Sequence, residues 1–471
     1  MKKTVLAGAS IIALGLAAPA AAQDNGISIV QSGDDNSAVT LQNKEDNVAS
    51  TFQDGDSNEA NVVQNGNRGS SAAEQIGNGN SISVSQAASG ADFVSVVEQS
   101  GDDNTASVAQ ENGRRSESFI TQEGDDQTAN VFQSRDDNTS VIAQSQNTNT
   151  ANVSQTSSRN TSSVVQDGEE GSVNVVQSGP DNQSAVVQEA NADRSSALVV
   201  QSGRENGSVV VQDDDDSNTT HDQSGDANFA FTDQGSSDSS SVVSQSGNRN
   251  FAQVVQGDAS EFQDSTVVQS GNRNTAFASQ GVGFVGPQGD SNNTSSIVQT
   301  GDDNFGFVRQ EAGDSSHSLF QGGDDNVSKT FLGTDSEAGA PTFSVPTGSS
   351  VAVSQVGNAN LSVVAAVADD SSVFVSQIGN SNVSGVAQLA DGSDNTASVT
   401  QTGNGGLAGI LQNGDGNTAD IFQGGNLNAG AIIQNGNLNS ATIAQTARGN
   451  AASIIQNGNG NTAVAGQNTG F

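Results

Sequence analysis

The stretch "IIQNGNLNSATIAQ", Ile432 to Gln445, places two glutamines eleven residues apart, with an asparagine and a glycine at fixed places between them. The same eleven-residue step runs from Gln31 to Gln86, from Gln122 to Gln188 and from Gln401 to Gln467. Short breaks of one or two residues interrupt the step elsewhere, and we interpret them as insertions in turns. Almost the whole chain is therefore one repeat.

The repeat unit has the pattern of a β-strand with one face buried. Counted backwards from its glutamine, as at Gln445, the unit has asparagine six residues before (Asn439), a small residue four before (Ala441) and a branched residue two before (Ile443). Alternate residues of a strand point to the same face. A right-handed helical coiled coil also has an eleven-residue period, but its units do not carry glycine and asparagine throughout. The pattern predicts strands of about seven residues.

The four residues between strands commonly read x-Gly-x-x, as at Gly436, and glycine there supplies the positive φ of a tight turn. Two strands and two turns make a coil of about 22 residues. The sequence thus predicts an all-β fold, a flattened β-solenoid of about twenty 22-residue strand-turn-strand-turn coils. Each strand should lie about 4.8 Å from its copy in the next coil.

The repeated amides have a structural explanation. A glutamine or asparagine side chain carries donors and an acceptor, so stacked copies can hydrogen-bond to one another and close the ends of a thin apolar strip. The predicted ladder and turn residues are Gln31, Gln42, Gln53, Gln64, Asn428, Gln434, Gly436, Asn439, Gln445, Asn450, Gln456, Asn461 and Gln467.

The N-terminus has the layout of a secretory signal. Lys2 and Lys3 precede an apolar run, and small residues lead to cleavage before Gln23. We predict a signal peptide over residues 1–22 and a secreted, extracellular or cell-surface chain without a membrane span. The chain has no cysteine and a formal charge of −38, which excludes disulfides and thiolate metal sites and disfavours nucleic acid and anionic membranes as partners.

Two segments lose the pattern, at residues 281–289 and 333–350. The second contains Pro341 and Pro346, which cannot donate to a strand ladder, so we interpret it as a loop or a joint. The predicted organisation is a solenoid over residues 23–332, a loop or joint over 333–350 and a solenoid over 351–471.

Paired aspartates recur in the turns, and pairs one coil apart should be adjacent. Two interpretations are open: solvated turn residues that discourage premature aggregation, or weak Ca²⁺ binding that relieves the repulsion between carboxylates. We expect no cofactor beyond such weak Ca²⁺ binding. The candidate metal ligands are Asp102, Asp103, Asp125, Asp126, Asp302, Asp303, Asp324 and Asp325.

Catalytic chemistry finds no support in the sequence. His221 and His317 are isolated, and we expect them at the surface; there is no cysteine nucleophile, and the serines are too repetitive to single out a triad. We predict that the protein is not an enzyme.

The pattern Gln434-x-Gly436-x-x-Asn439-x-Ala441-x-Ile443-x-Gln445 resembles the curlin repeat of bacterial curli subunits. The resemblance covers almost all of residues 23 to 471. It implies a secreted subunit that assembles by coil stacking into extracellular, amyloid-like fibres for cell adhesion and biofilm matrix. A related nucleator or minor subunit is a further partner that it implies.

Three features depart from that family: the number of coils, an N-terminus that enters the repeat almost at once, and few aromatic outer positions. The alternative function is a monomeric surface adhesin or a ligand-binding solenoid for carbohydrate or ice. A disordered acidic polymer fits the composition, but the regular pattern argues against it. Residues 396–471 are nearly uncharged and closest to the consensus, so we expect this end to stack most readily.

Overall fold

The predicted fold class is confirmed. A computed structural model describes residues 24–257, 262–281, 292–311, 313–333, 348–389 and 392–468, and these contain β-strands and turns but no helix. The chain divides into two compact units, Met1–Ala227 and Asn228–Phe471. The described residues form 38 strands, 18 in the first unit and 20 in the second, which corresponds to nine and ten coils.

The first unit contains strands of six or seven residues. They are β1 (Gly26–Ser32), β2 (Ser37–Gln42), β3 (Val48–Asp54), β4 (Glu59–Gln64), β5 (Ser70–Ile76), β6 (Ser81–Gln86), β7 (Val94–Ser100), β8 (Thr105–Glu111), β9 (Glu117–Glu123), β10 (Thr128–Ser134), β11 (Thr139–Ser145), β12 (Thr150–Gln155), β13 (Thr161–Gln166), β14 (Ser172–Gln177), β15 (Gln183–Gln188), β16 (Ser196–Gln201), β17 (Gly207–Gln212) and β18 (Asn218–Ser224).

The second unit has strands of six to eight residues. They are β19 (Phe229–Gln234), β20 (Ser240–Ser246), β21 (Phe251–Gln256), β22 (Gln263–Ser270), β23 (Thr275–Gln280), β24 (Asn293–Thr300), β25 (Phe305–Gln310), β26 (Ser316–Gly322), β27 (Val327–Leu332), β28 (Ser350–Val356), β29 (Leu361–Ala366), β30 (Ser372–Ile378), β31 (Val383–Gln388), β32 (Thr396–Gln401), β33 (Leu407–Asn413), β34 (Thr418–Gln423), β35 (Ala429–Asn435), β36 (Ser440–Gln445), β37 (Ala451–Asn457) and β38 (Thr462–Gln467).

Within each unit, a strand pairs in parallel with the strand two further along the chain. Odd-numbered strands therefore form one sheet and even-numbered strands the facing sheet. The register places equivalent residues of successive coils next to each other, so that Ile432 pairs with Ile454 and Gln434 with Gln456. Insertions between coils leave this register intact, because Gln269 still pairs with Gln299 although 30 residues separate them along the chain.

The core is a thin strip between the two sheets of each unit. Along β36 the inward side chains Ala441, Ile443 and Gln445 are buried, as is Asn439 just before the strand. One apolar cluster runs through the coils from Ala49 to Val210 and another from Ala230 to Ile443. Such a narrow core is sufficient because stacking buries each coil against its neighbours.

The turns contain two left-handed positions, and the second was not anticipated from the sequence. Gly436 has a φ of 108°, and Leu438, two residues later, has a φ of 57°. A Cβ on Gly436 would also clash with the carbonyl oxygen of Gly458 in the next coil. Glycine is therefore required both by its own backbone and by the stacking of turns. At the second position aspartate is frequent, since it tolerates a positive φ better than most residues.

Parts of the predicted organisation fall outside the described residues, namely the signal peptide over residues 1–22, residues 282–291 and most of the 333–350 segment. On the two sides of this last segment, β26 pairs with β28 and β27 pairs with β29 in register. The compact units divide at residues 227 and 228, a position that the repeat pattern does not mark.

Candidate functional site

The glutamines form continuous hydrogen-bonded ladders between coils. Gln434 donates from Nε2 to Oε1 of Gln456 at 2.9 Å and to the carbonyl oxygen of Thr418 at 2.9 Å, while its own Oε1 accepts from Gln412 at 3.0 Å. Thr418 is the first residue of the facing strand β34. Each glutamine thus joins neighbouring coils and also links the two sheets at one end of the apolar strip.

The same bond joins the other predicted ladder glutamines, with Nε2 to Oε1 distances of 2.7 to 3.0 Å. The pairs are Gln31 to Gln53, Gln42 to Gln64, Gln53 to Gln75, Gln64 to Gln86 and Gln445 to Gln467.

The asparagines form a second ladder beside the glutamines of the facing strand, as where Gln412 Nε2 donates to the Asn417 carbonyl at 3.0 Å, and they use their backbone as well as their side chains. The Oδ1 of Asn439 accepts the backbone N–H of Asn461 at 3.0 Å, and the Oδ1 of Asn428 accepts that of Asn450 at 2.9 Å. In many coils the Nδ2 also donates to a turn carbonyl of the next coil, as from Asn360 to Gly379 at 2.8 Å. Asparagine is therefore needed to hold stacked turns together, since its amide satisfies backbone groups that the strands leave unpaired.

The aspartate pairs are brought next to each other, and their two members have different surroundings. The first member caps the next turn: Asp324 Oδ1 accepts the backbone N–H of Asp302 at 2.9 Å, and Asp125 Oδ1 accepts that of Asp102 at 2.8 Å. The second member lies at the left-handed turn position, as Asp103, Asp126, Asp303 and Asp325 do.

Arginine neutralises the second aspartate in some coils. Arg273 donates from Nε to Asp303 at 2.7 Å, and this hydrogen bond holds the pKa of the Asp303 carboxyl below its usual range. Arg115 with Asp137 repeats the arrangement, and Arg159 bonds Asp181 at the same turn position, where residue 180 is a proline. In the part of the chain that the structure describes, no three histidine, cysteine, aspartate or glutamate side chains converge as metal ligands would. Weak Ca²⁺ binding by the eight candidate aspartates stays a prediction.

The expectation that the histidines lie at the surface was wrong. His221 is fully buried with its Nδ1 2.7 Å from Ser208 Oγ, and His317 is 3% exposed with neither ring nitrogen hydrogen-bonded. Desolvation lowers the pKa of both imidazoles to about 3. The repeat numbering contains the signal that the expectation neglected, because His221 lies two residues before Gln223 and His317 four before Gln321. Both positions point inward.

One ladder contains a gap that the sequence reasoning missed. Leu332 and Ala366 occupy two successive glutamine positions between Gln310 and Gln388. Gln388 still donates to Gln412 at 3.0 Å, but its buried Oε1 has no hydrogen-bond partner. A buried acceptor without a donor is costly, so this is a weak point of the second unit.

The first and last described coils are open and have complementary ladder ends. Within the described residues β1 pairs with β3, and β2 with β4, on one side only. Inward Ile29 is consequently 42% exposed, and Gln42 Oε1 has no hydrogen-bond partner. At the other end, Gln467 Nε2 donates to the Ala451 carbonyl at 3.0 Å, and among the described residues no further coil supplies it with a glutamine acceptor. One end therefore offers an acceptor and the other a donor.

Comparison with known families identifies the repeat. The sequence model described as Curlin associated repeat matches the chain at residues 45–87, 96–124, 347–379, 368–403, 392–425 and 414–446. These stretches carry curlin associated repeats. The predicted resemblance is confirmed, and the curlin repeats occur in both compact units. A search of curated proteins found no match to the sequence.

The curlin repeats and the solenoid fold together fit a curli-like structural protein rather than an enzyme. The repeat family indicates self-assembly and an extracellular location. The described residues include no helix with the length and apolarity that a membrane crossing requires.

Proposed function

We propose that this protein is a secreted curli-like subunit that stacks end to end into adhesive, amyloid-like extracellular fibres of a biofilm matrix. The observation that carries the proposal is the complementarity of the two open coils. A free strand edge is a template for pairing with another chain, and natural proteins usually cover such edges. Here the edges at both ends of the described chain are uncovered.

Continuing the 22-residue register into a second copy gives specific contacts. Gln467 of one copy would lie on Gln42 of the next, and its Nε2 would donate to the Oε1 that now lacks a partner. Ile454 would lie on Ile29 in the same way that Ile432 lies on Ile454 within the chain. Stacking would therefore extend both the amide ladder and the apolar strip, and the backbone edges would pair as strands do in cross-β fibres.

Export and adhesion complete the proposal. The signal-like segment over residues 1–22 would direct secretion, and a related nucleator or minor subunit would present the first coil edge. The outward side chains of the stacked coils would supply the adhesive surface.

Seeded growth of the purified mature chain tests the assembly. Fibres should show the reflections of about 4.7 Å and about 10 Å that arise from strand and sheet spacing. Gln42→Ala and Gln467→Ala should each slow elongation on wild-type seeds several-fold. Each also removes one ladder bond within the monomer, from Gln42 to Gln64 or from Gln445 to Gln467, so elongation is compared under conditions in which urea unfolding shows both variants to be fully folded. Val39→Ala is the matched control, because Val39 lies in the same strand as Gln42 but points outward and is 56% exposed.

A folded monomer that never adds to seeds would contradict the proposal and favour the surface adhesin or ligand-binding solenoid. Equal elongation rates for wild type and both glutamine variants would show that the ladder ends are not the joining surface. Antibody labelling of fibres on producing cells, with a variant lacking residues 1–22 as control, would test secretion and surface location.

A further inference from the structure

We infer that the outer face of the odd-numbered sheet in the second unit is a second interaction surface, which packs against the same face of another copy. Five consecutive strands of this sheet, β29, β31, β33, β35 and β37, present no charged side chain outward. At one, three and five residues before the inward glutamine position, the outward residues are Leu361, Val363, Ala365, Val383, Gly385, Ala387, Leu407, Gly409, Leu411, Ala429, Ala431, Ile433, Ala451, Ser453 and Ile455. We call this set the apolar face.

The apolar face has a groove between two ridges. In register, Gly385, Gly409 and Ala431 form a middle row of small residues. A Cβ added to Gly385 or Gly409 would meet no atom within 4 Å, so the space above the row is open. The flanking rows carry larger side chains, and Leu407 is 54% and Ile455 63% exposed. A pocket of about 470 Å³ lies along this middle row and the neighbouring row of Val383, Leu407, Ala429 and Ala451, and it can receive large side chains.

Phenylalanines continue this surface over the preceding odd strands of the same unit. Phe229 stacks on Phe251 with ring centroids 5.7 Å apart, and Phe307 contacts Phe331 at 5.4 Å. Strand β27, which carries Phe331, pairs directly with β29 at the edge of the apolar face. The aromatic rows and the apolar face therefore form one surface of ten paired strands, from β19 to β37.

The size of this surface is appropriate for a stable pair. Ten strands at about 4.8 Å spacing and about 20 Å of strand length give roughly 900 Å² per copy, or roughly 1,800 Å² in total. Stable interfaces bury about 1,600 Å², with a range of about 400 Å² on either side. The apolar face alone, with half of these strands, would give roughly 900 Å² in total, which is below that range, so the aromatic rows have to take part.

Charge favours a second copy as the occupant. The chain has a formal charge of −38, so two copies repel each other wherever their acidic surfaces meet. A basic partner would be drawn to those acidic surfaces rather than to an uncharged one. Over the ten strands the outward positions carry one carboxylate, Asp233, and two cations, Arg309 and Lys329, so two such acidic chains can approach through this surface with little repulsion. A sheet face also packs best on a matching sheet face. Exposed apolar areas of this size are typical of interaction sites.

Sedimentation equilibrium of the freshly dissolved mature chain, before fibres form, tests the pairing. Leu407→Lys/Ala431→Lys should raise the dissociation constant of the pair at least tenfold, because two unpaired charges would be buried. Ser398→Lys/Thr442→Lys is the matched control: it adds the same charge on outward positions of the facing sheet. Added salt should lower the dissociation constant of the wild-type pair, because salt screens the repulsion between the two acidic chains and does not weaken apolar contacts.

A wild-type chain that stays monomeric at all concentrations would overturn the inference, as would equal effects of the two lysine pairs. Binding of phospholipid vesicles or of a polysaccharide through the apolar face, without pairing of copies, would also overturn it. The inference does not rest on the proposed end-to-end stacking. Seeded elongation of the same variants separates the two, because the lysines of the apolar face should leave the elongation rate unchanged while weakening lateral pairing at least tenfold.

Discussion

Replacing one ladder glutamine by leucine should destabilise its coil far more than removing the neighbouring asparagine side chain. In Gln434→Leu, Gln456 Oε1 loses its donor, the Thr418 carbonyl loses the bond between sheets, and Gln412 loses one of its acceptors. Leucine has a similar volume, so the change removes the hydrogen bonds without opening a large cavity.

The size of the effect follows from these contacts. Three hydrogen bonds at about 1 kcal/mol each, and one buried acceptor left without a donor at about 1 to 3 kcal/mol, oppose folding. Burial of the apolar leucine side chain returns about 1.5 to 2 kcal/mol. The expected loss in the free energy of unfolding is about 2 to 4 kcal/mol.

Amide hydrogen exchange of β33 to β37 in the monomer measures this loss locally, and urea unfolding measures it for the chain. Asn435→Ala is the control, because the exposed Asn435 side chain makes one hydrogen bond, to Asn457 Oδ1 at 3.0 Å, and its removal should change stability by at most about 0.5 kcal/mol. Equal losses for the two variants would refute the assignment of the glutamines as the structural ladder.

Lowering the pH from 6.5 to 3 should reduce the free energy of unfolding of the second unit, because the imidazole of His317 binds a proton in the unfolded chain but stays neutral when buried. The loss reaches about 2 kcal/mol at pH 5. His317→Val should remove this pH dependence in urea titrations over that range. The double variant Leu332→Gln/Ala366→Gln should raise the unfolding midpoint, because it supplies the missing donor to Gln388 Oε1; an unchanged midpoint would argue against a costly gap. If the candidate aspartates bind Ca²⁺ weakly, millimolar Ca²⁺ should raise the melting temperature more than Mg²⁺ does at equal ionic strength, and equal shifts would favour solvated turn residues instead. Deleting residues 396–471 should lengthen the lag of assembly, and an unchanged lag would place the most readily stacking coils elsewhere.

The repeat made the fold predictable from particular residues. The interval between Gln434 and Gln445 places them on opposite sheets, and the identity of residues two, four and six before each glutamine assigns the buried face. These features follow from local periodicity, which a single sequence contains in full. The turn at Gly436 could also be predicted from the sequence, because a positive φ is a local requirement that favours glycine.

Features that depend on alignment between coils were harder to anticipate. Phe251, Phe277 and Phe305 are spaced irregularly along the chain, and only the observed register shows that β21, β23 and β25 place them side by side. The different surroundings of the two aspartates in each pair also depend on the alignment between coils. The first accepts a backbone N–H from the adjacent turn, and the second contacts an arginine only where the adjacent turn supplies one. The histidines were misplaced although their positions in the repeat were available, because isolated polar residues were assumed to be outside.

The unchanged register across insertions has a practical consequence. Gln321 pairs with Gln355 across 34 residues, as securely as Gln299 pairs with Gln321 across 22. The positions between coils accept extra length while the stacked strands do not, so the chain can be edited as a modular scaffold. A foreign peptide inserted between β23 and β24 should leave the neighbouring pairings in place, and a fibre of such subunits would display that peptide at a regular interval along its length.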